Sequence, residues 1–147
     1  MSIVIIGAGQ SGLVTCKTFK EKNYQVLVLE KNNKNGLFNN VLEKEYFRWS
    51  SSRYISGFSD FPIPKTFPVW MNFKQYCKYL ELYKQKNNLD KYIKYNSSVI
   101  SVKKDGNKWN IKYTNNNKEY IIYSDFVIVS TGLNSVPKYP NLGNFKG

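Results

Sequence analysis

The chain contains no histidine and only two cysteines. The first absence removes Ser-His-Asp and Cys-His nucleophile chemistry and most zinc sites. Cys16 and Cys77 lie far apart with no CxxC. That weighs against a disulfide reductase and leaves both thiols as small core residues. Arginine is nearly missing as well, since Arg48 and Arg53 stand alone among 22 basic residues. The net charge of +12 is therefore carried by scattered lysines, with no basic block longer than Lys103-Lys104. Specific nucleic-acid surfaces cluster their charge and lean on arginine, so no nucleic-acid partner is expected. No apolar run approaches the roughly 18 residues of a membrane span, and the apolar N-terminus is short and lacks a basic leader. These absences predict a soluble protein of a reducing, cytoplasmic compartment.

What is present points to a folded domain. The 147 residues suffice for one core, and 41% hydrophobic with 16% aromatic residues argues against disorder. Residues 3–6, Ile-Val-Ile-Ile, have the pattern of a parallel strand buried on both faces. Gly7-x-Gly9-x-x-Gly12 follows at once, and an amphipathic stretch with Leu13, Val14 and Phe19 comes next. In this strand–turn–helix context the glycines have distinct uses. Gly7 permits the turn, Gly9 admits a pyrophosphate close to the backbone, and Gly12 lets the helix pack on the strand. The helix N-terminus supplies free N–H groups for the phosphates. Val26-Leu27-Val28-Leu29-Glu30 then places an acid at the end of the next strand, where a ribose hydroxyl would be held. The pattern predicts a dinucleotide site.

Along the chain, a helix is expected over 11–22, ending at Asn23, and a strand over 25–30. Residues 41–68 show no sustained periodicity and read as an ordered loop. Asn72 is expected to cap a helix carrying Phe73, Tyr76, Cys77, Leu80 and Tyr83 on one stripe. Strand-like runs at 99–103, 108–113 and 118–123 are joined by turn residues and predict an antiparallel meander. Residues 125–132 form another buried strand, which would return to the parallel sheet and bring Gly132 to the ligand crevice. The fold class is thus α/β, a Rossmann-like parallel sheet with a small antiparallel β-meander.

On these motifs the chain resembles the N-terminal part of the flavin-containing monooxygenases, FAD- and NADPH-dependent enzymes that oxygenate soft nucleophiles. The glycine signature and Glu30 match the family's FAD fingerprint. Gly36-Leu37-Phe38 stands where the family has Gly-Gly-Leu-Trp. Phe58-Ser-Asp-Phe-Pro-Ile-Pro64 resembles its Asp-Phe-Pro-x-Pro loop, and Ser130-Thr131-Gly132 its Ala-Thr-Gly strand end. The resemblance implies FAD contacts at Gly7, Ala8, Gly9, Gln10, Ser11, Gly12, Glu30, Gly36, Leu37, Phe38, Ser51, Val99, Thr131 and Gly132. It also implies a small-molecule substrate, with oxygenation at nitrogen, sulfur or a carbonyl compound.

Two departures from the family qualify what is implied. Its active-site asparagine falls on Ser50, whose single hydroxyl is shorter than a carboxamide and offers fewer hydrogen bonds. Weaker support of oxygenation and leakage to hydrogen peroxide are the implied consequences. Phe145-Lys146-Gly147 opens the family's Phe-x-Gly-x-x-x-His-Ser motif and stops before the histidine. On that reading the chain is truncated: the NADPH domain with its second GxGxxG is missing, and no NADPH is bound by this chain alone. The alternative function is then an FAD- or ADP-binding module, or a relic, without turnover.

Overall fold

The computed structural model describes residues 1–34, 48–132, 140–141 and 143. Gly36, Leu37, Phe38 and the Phe145-Lys146-Gly147 motif lie outside these residues. Four strands, β1 (Ser2–Ile6), β2 (Gln25–Leu29), β3 (Ile93–Lys94) and β7 (Phe126–Val129), form a parallel sheet in the order β3-β2-β1-β7. β1 is central. Ile3 pairs with Val26 on one side and Phe126 on the other, in unbroken register to Ile6. That position explains the uninterrupted apolar run of residues 3–6, because a central parallel strand is covered on both faces.

The two covers differ. On one face α1 (Gln10–Glu21) and α2 (Phe73–Lys86) bring Leu13, Cys16, Tyr79 and Leu80 into one cluster with Ile3, Ile5 and Val28. On the other, Val4 and Leu29 meet Ile111 and Tyr113 of the meander. The meander consists of β4 (Ser97–Asp105), β5 (Lys108–Asn115) and β6 (Lys118–Ser124). Asn116 and Asn117 both take positive φ in the β5–β6 turn, as a two-residue hairpin connection requires.

The expected elements are found with shifted ends, but the strand expected to be buried over 125–132 is β7 (Phe126–Val129), an edge strand of the parallel sheet on which Phe126 and Val129 are exposed. α1 starts and ends one residue earlier than 11–22, and Asn23 adopts φ +60° just past its C-cap. β4 begins at Ser97 rather than 99, because Ser97 and Ser98 pair with Asn115 and Thr114 of β5. β3 was not expected: two residues are too few to show a period, and the strand exists through its pairing with Val28 and Leu29. Asn72 caps α2 as predicted. Its side chain accepts from the Gln75 N–H at 2.9 Å while the Gln75 side chain accepts from the Asn72 N–H at 2.8 Å.

The loop before α2 is ordered over its described part, 48–71. The Trp49 N–H donates to Met71 O at 2.7 Å and the Arg53 N–H to Val69 O at 2.9 Å. Arg53 also donates from its guanidinium to the Lys65 and Phe67 carbonyls. Cys16 is fully buried, and desolvation pushes its thiol up to about 11, so it behaves as a core residue. Cys16 and Cys77 form no disulfide.

Candidate dinucleotide site

The site begins where β1 ends. Gly7 turns the chain with φ +101°, and its N–H donates to Leu29 O at 2.8 Å. Ser130, just past β7, donates to Ile6 O at 2.8 Å. A Cβ on Gly7 would sit 2.6 Å from the Ser130 carbonyl oxygen. The loop therefore lies between the C-terminal ends of β2 and β7, the edge at which open α/β sheets bind ligands. Gly12 has the tightest surroundings. A Cβ there would overlap the Gly7 carbonyl and approach Ile5 Cγ2 at 3.7 Å, so the helix packs on the strand as the spacing predicts.

Gly9 is the N-cap of α1, with φ −76°, and makes no side-chain cap bond. The first intrahelical bond runs from the Leu13 N–H to Gly9 O at 2.9 Å, so Gln10, Ser11 and Gly12 present N–H groups without intrahelical acceptors. No acidic residue stands in the first turn to compete with an anion. Gln10 and Ser11 are exposed.

Glu30 follows β2 and is 4% exposed, so it is not a solvated strand-end carboxylate. One carboxylate oxygen, Oε2, accepts from the Ala8 N–H at 2.8 Å. The other accepts from Asn32, through the backbone N–H at 2.9 Å and Nδ2 at 2.7 Å. Among the described residues, three of a carboxylate's roughly four lone-pair positions are thus used. The Glu30 main chain is fixed by Lys94 O and the Ser97 N–H. Val99 lies two residues further along β4, at its bulge, and packs against the cluster of Val4 and Leu29. Thr131 and Gly132 are exposed just past β7, and Gly132 takes φ +81°.

Ser50 and Ser51 lie on a different element, the loop 48–71. Ser50 is exposed, and the Ser51 hydroxyl contacts the Ser56 hydroxyl at 2.8 Å. α2 connects this loop to the glycine turn. The Tyr76 hydroxyl donates to Gln10 Oε1 at 2.8 Å, and its ring stacks on Trp49 at 4.4 Å with 17° between planes. Burial, with smaller contributions from Tyr79 and Cys77, pushes the Tyr76 phenol up to about 12, so it remains a donor. The Asp-Phe-Pro loop serves packing: Tyr79 donates to Phe61 O at 2.6 Å and accepts from the Phe58 N–H at 2.7 Å. Asp60 pairs with Lys17 of α1 at 2.7 Å, and the Lys17 hydrogen bond holds its carboxyl below the usual range.

Gly7, Ala8, Gly9, Gln10, Ser11, Gly12 and Glu30 therefore come together at one sheet edge with Thr131 and Gly132 beside them, while Ser50 and Ser51 lie on the loop that Tyr76 links to Gln10. Asn32, Tyr76 and Ser130 escaped the sequence reading. Asn32 sits in an unremarkable polar run, Tyr76 falls on a stripe that looks like core, and Ser130 belongs to a motif read for its glycine.

The flavin-binding monooxygenase-like family matches residues 1–147. The chain belongs to that family. Dimethylaniline monooxygenase [N-oxide-forming] 2 of Macaca mulatta is 28% identical over 99% of this chain and 31% of its own length. A 4-hydroxybenzoate brominase (decarboxylating) of Pseudoalteromonas luteoviolacea is 32% identical over 96% of the chain and 28% of its own. The chain thus spans about a third of the curated relatives it matches. A solved structure of OTEMO in complex with FAD and NADP superposes with TM-score 0.84 at 18% identity, over 100% of this chain and 29% of that one. At that identity the likeness speaks for the fold. The fold is one shared by FAD-binding monooxygenases and reductases, and the family is one of flavoprotein oxidoreductases. Among the described residues no helix is long and apolar enough to cross a membrane.

Proposed function

We propose that residues 1–147 bind FAD and form the flavin-side part of an NADPH-dependent monooxygenase acting on a small nucleophile with soft nitrogen or sulfur, or on a carbonyl compound. The carrying observation is the closure of the glycine turn by Glu30. Gly7 and Gly12 leave no room for side chains, and the buried carboxylate fixes the Ala8 amide, with one acceptor position unused among the described residues. A pyrophosphate at the N–H groups of Gln10, Ser11 and Gly12 and a ribose hydroxyl on Glu30 fit this donor set. Bound FAD would supply the redox chemistry, which no side chain here can replace.

The chain's own residues have simpler tasks. Gly9 lets the backbone approach the diphosphate, Thr131 and Gly132 flank the crevice, and Val99 borders the adenosine side. Ser50 stands in for the family's asparagine and offers one hydroxyl. Residues 1–147 contain one GxGxxG, which the FAD reading takes up, so FAD-loaded 1–147 is expected to yield no coupled oxygenated product. A second reading, an FAD- or ADP-binding module without turnover, is favoured by the exposure of Ser50 on a separate loop. A cytoplasmic location, without a nucleic-acid partner, goes with either reading.

Equilibrium dialysis of the purified chain against FAD, with flavin absorbance read on the protein side, tests the site. Retained flavin that is displaced by ADP supports it. A chain that folds and retains neither FAD nor ADP refutes it.

A further inference from the structure

One hydroxyl joins the glycine turn, to which the FAD reading gives the pyrophosphate, to the loop that carries Ser50. Tyr76 is 3% exposed, and burial of its ring would be equally well served by phenylalanine. The phenol, in contrast, would cost free energy to bury unless it were hydrogen-bonded. It is bonded, to Gln10 Oε1 at 2.8 Å on the first residue of α1, with Ser56 O also facing it at 3.4 Å. Its ring lies flat on Trp49, which directly precedes Ser50. From Ser56 the hydroxyl contact at 2.8 Å continues to Ser51.

We propose that Tyr76 is a positioning residue, whose hydroxyl holds the Trp49-Ser50-Ser51 turn in register with the N-terminus of α1. This rests on the FAD reading of the glycine turn. Ring stacking fixes the plane of the loop and the hydrogen bond fixes its distance from the helix start. A cofactor spanning both elements then binds to a preformed gap rather than ordering the loop itself, and preorganisation of this kind raises affinity by removing an ordering cost.

The test compares the whole chain with Tyr76→Phe, Gln10→Leu and the double variant. Tyr76→Phe keeps the ring and its stack, so its melting temperature without FAD should stay close to that of the parent. Its FAD dissociation constant should rise roughly three- to tenfold, the effect of one neutral hydrogen bond. Adding Tyr76→Phe to Gln10→Leu should weaken binding no further, because the shared bond is already lost. Hydrogen exchange of residues 49–56 in the FAD-free protein should be faster in Tyr76→Phe. Parent-like FAD affinity in Tyr76→Phe, with the parent binding FAD, overturns the proposal and leaves the FAD reading intact. A parent that takes up no FAD overturns that reading instead. The exchange comparison then decides the clamp alone: faster exchange supports it and unchanged exchange removes it.

Discussion

The Ala8 N–H donates to Glu30 Oε2 at 2.8 Å, so a carboxylate at the end of β2 holds the middle of the glycine turn at the end of β1. Glu30 therefore has a structural task before any cofactor arrives. Removing it leaves the buried Ala8 amide and the half-buried Asn32 donors without their acceptor. Glu30→Ala should destabilise the FAD-free chain by about 1.5–3 kcal/mol, the range for hydrogen bonds to a charged group. Urea unfolding measures that part. Dialysis with flavin absorbance measures the other, and unchanged flavin retention would remove the ribose role while leaving the structural one.

Gly9 and Gly12 should separate cofactor from fold. Gly9 has φ −76°, which any residue can adopt, so Gly9→Ala should cost only about 0.5 kcal/mol of stability through a poorer N-cap. Its FAD binding should fall further than its stability. Gly12→Ala drives a methyl into the Gly7 carbonyl, a backbone atom that cannot step aside. Overpacking of this kind costs about 1–3 kcal/mol, and the loss should appear in the melting temperature with or without FAD. Equal behaviour of the two variants would mean that both glycines serve packing alone.

The glycine turn was legible because its residues are constrained one by one. Gly7 answers a φ angle and Gly12 a contact, and residues 3–6 of β1 are apolar because both faces of the strand are covered. The Asn72 cap and the stripe of α2 were legible for the same local reason. What escaped was non-local. Glu30 shows in sequence as an acid at the right spacing, but its bond to Ala8 depends on β1 and β2 lying side by side. Tyr76 reads as core because helical spacing records burial and not where a hydroxyl ends. β3 has no signal of its own, since its two residues are a strand only because β2 offers an edge.

Tyr79 and Tyr83 sit one turn apart on α2, both fully buried, and should respond oppositely to loss of the hydroxyl. Tyr79 bridges the Phe58 N–H and Phe61 O, so Tyr79→Phe strands a donor and an acceptor and should cost about 1–3 kcal/mol. The Tyr83 hydroxyl has no hydrogen-bond partner among the described residues, and burial pushes its phenol up to about 12. Tyr83→Phe removes an unsatisfied polar atom at constant shape, so it should be neutral or stabilising by about 1 kcal/mol. Thermal melts of the two variants decide the matter. A destabilised Tyr83→Phe would mean that its hydroxyl has a partner in solution.

Asp125 should set part of the acid limit of stability. It joins β6 to β7 and reaches back to the start of β1. Lys108 contacts Oδ1 at 2.5 Å, while the Ser2 N–H and hydroxyl reach Oδ2 at 2.7 and 3.0 Å. The Lys108 hydrogen bond, then the two Ser2 donors, hold its carboxyl well below the usual carboxylate range. A folded-state value below the unfolded one gives stability that is complete above the unfolded value, roughly 3.9, and is lost as pH falls below it. Asp60, also depressed by Lys17, contributes in the same direction, so Asp125→Asn should flatten the acid limb without abolishing it. Urea midpoints of the parent and Asp125→Asn should differ at pH 7 and converge as the pH is lowered from 4 toward 2. Because Lys108 is half-exposed, the gap at pH 7 should also narrow in high salt. Parallel curves over the whole range would show that the Asp125 charge, as distinct from its hydrogen bonds, does not stabilise this corner of the sheet.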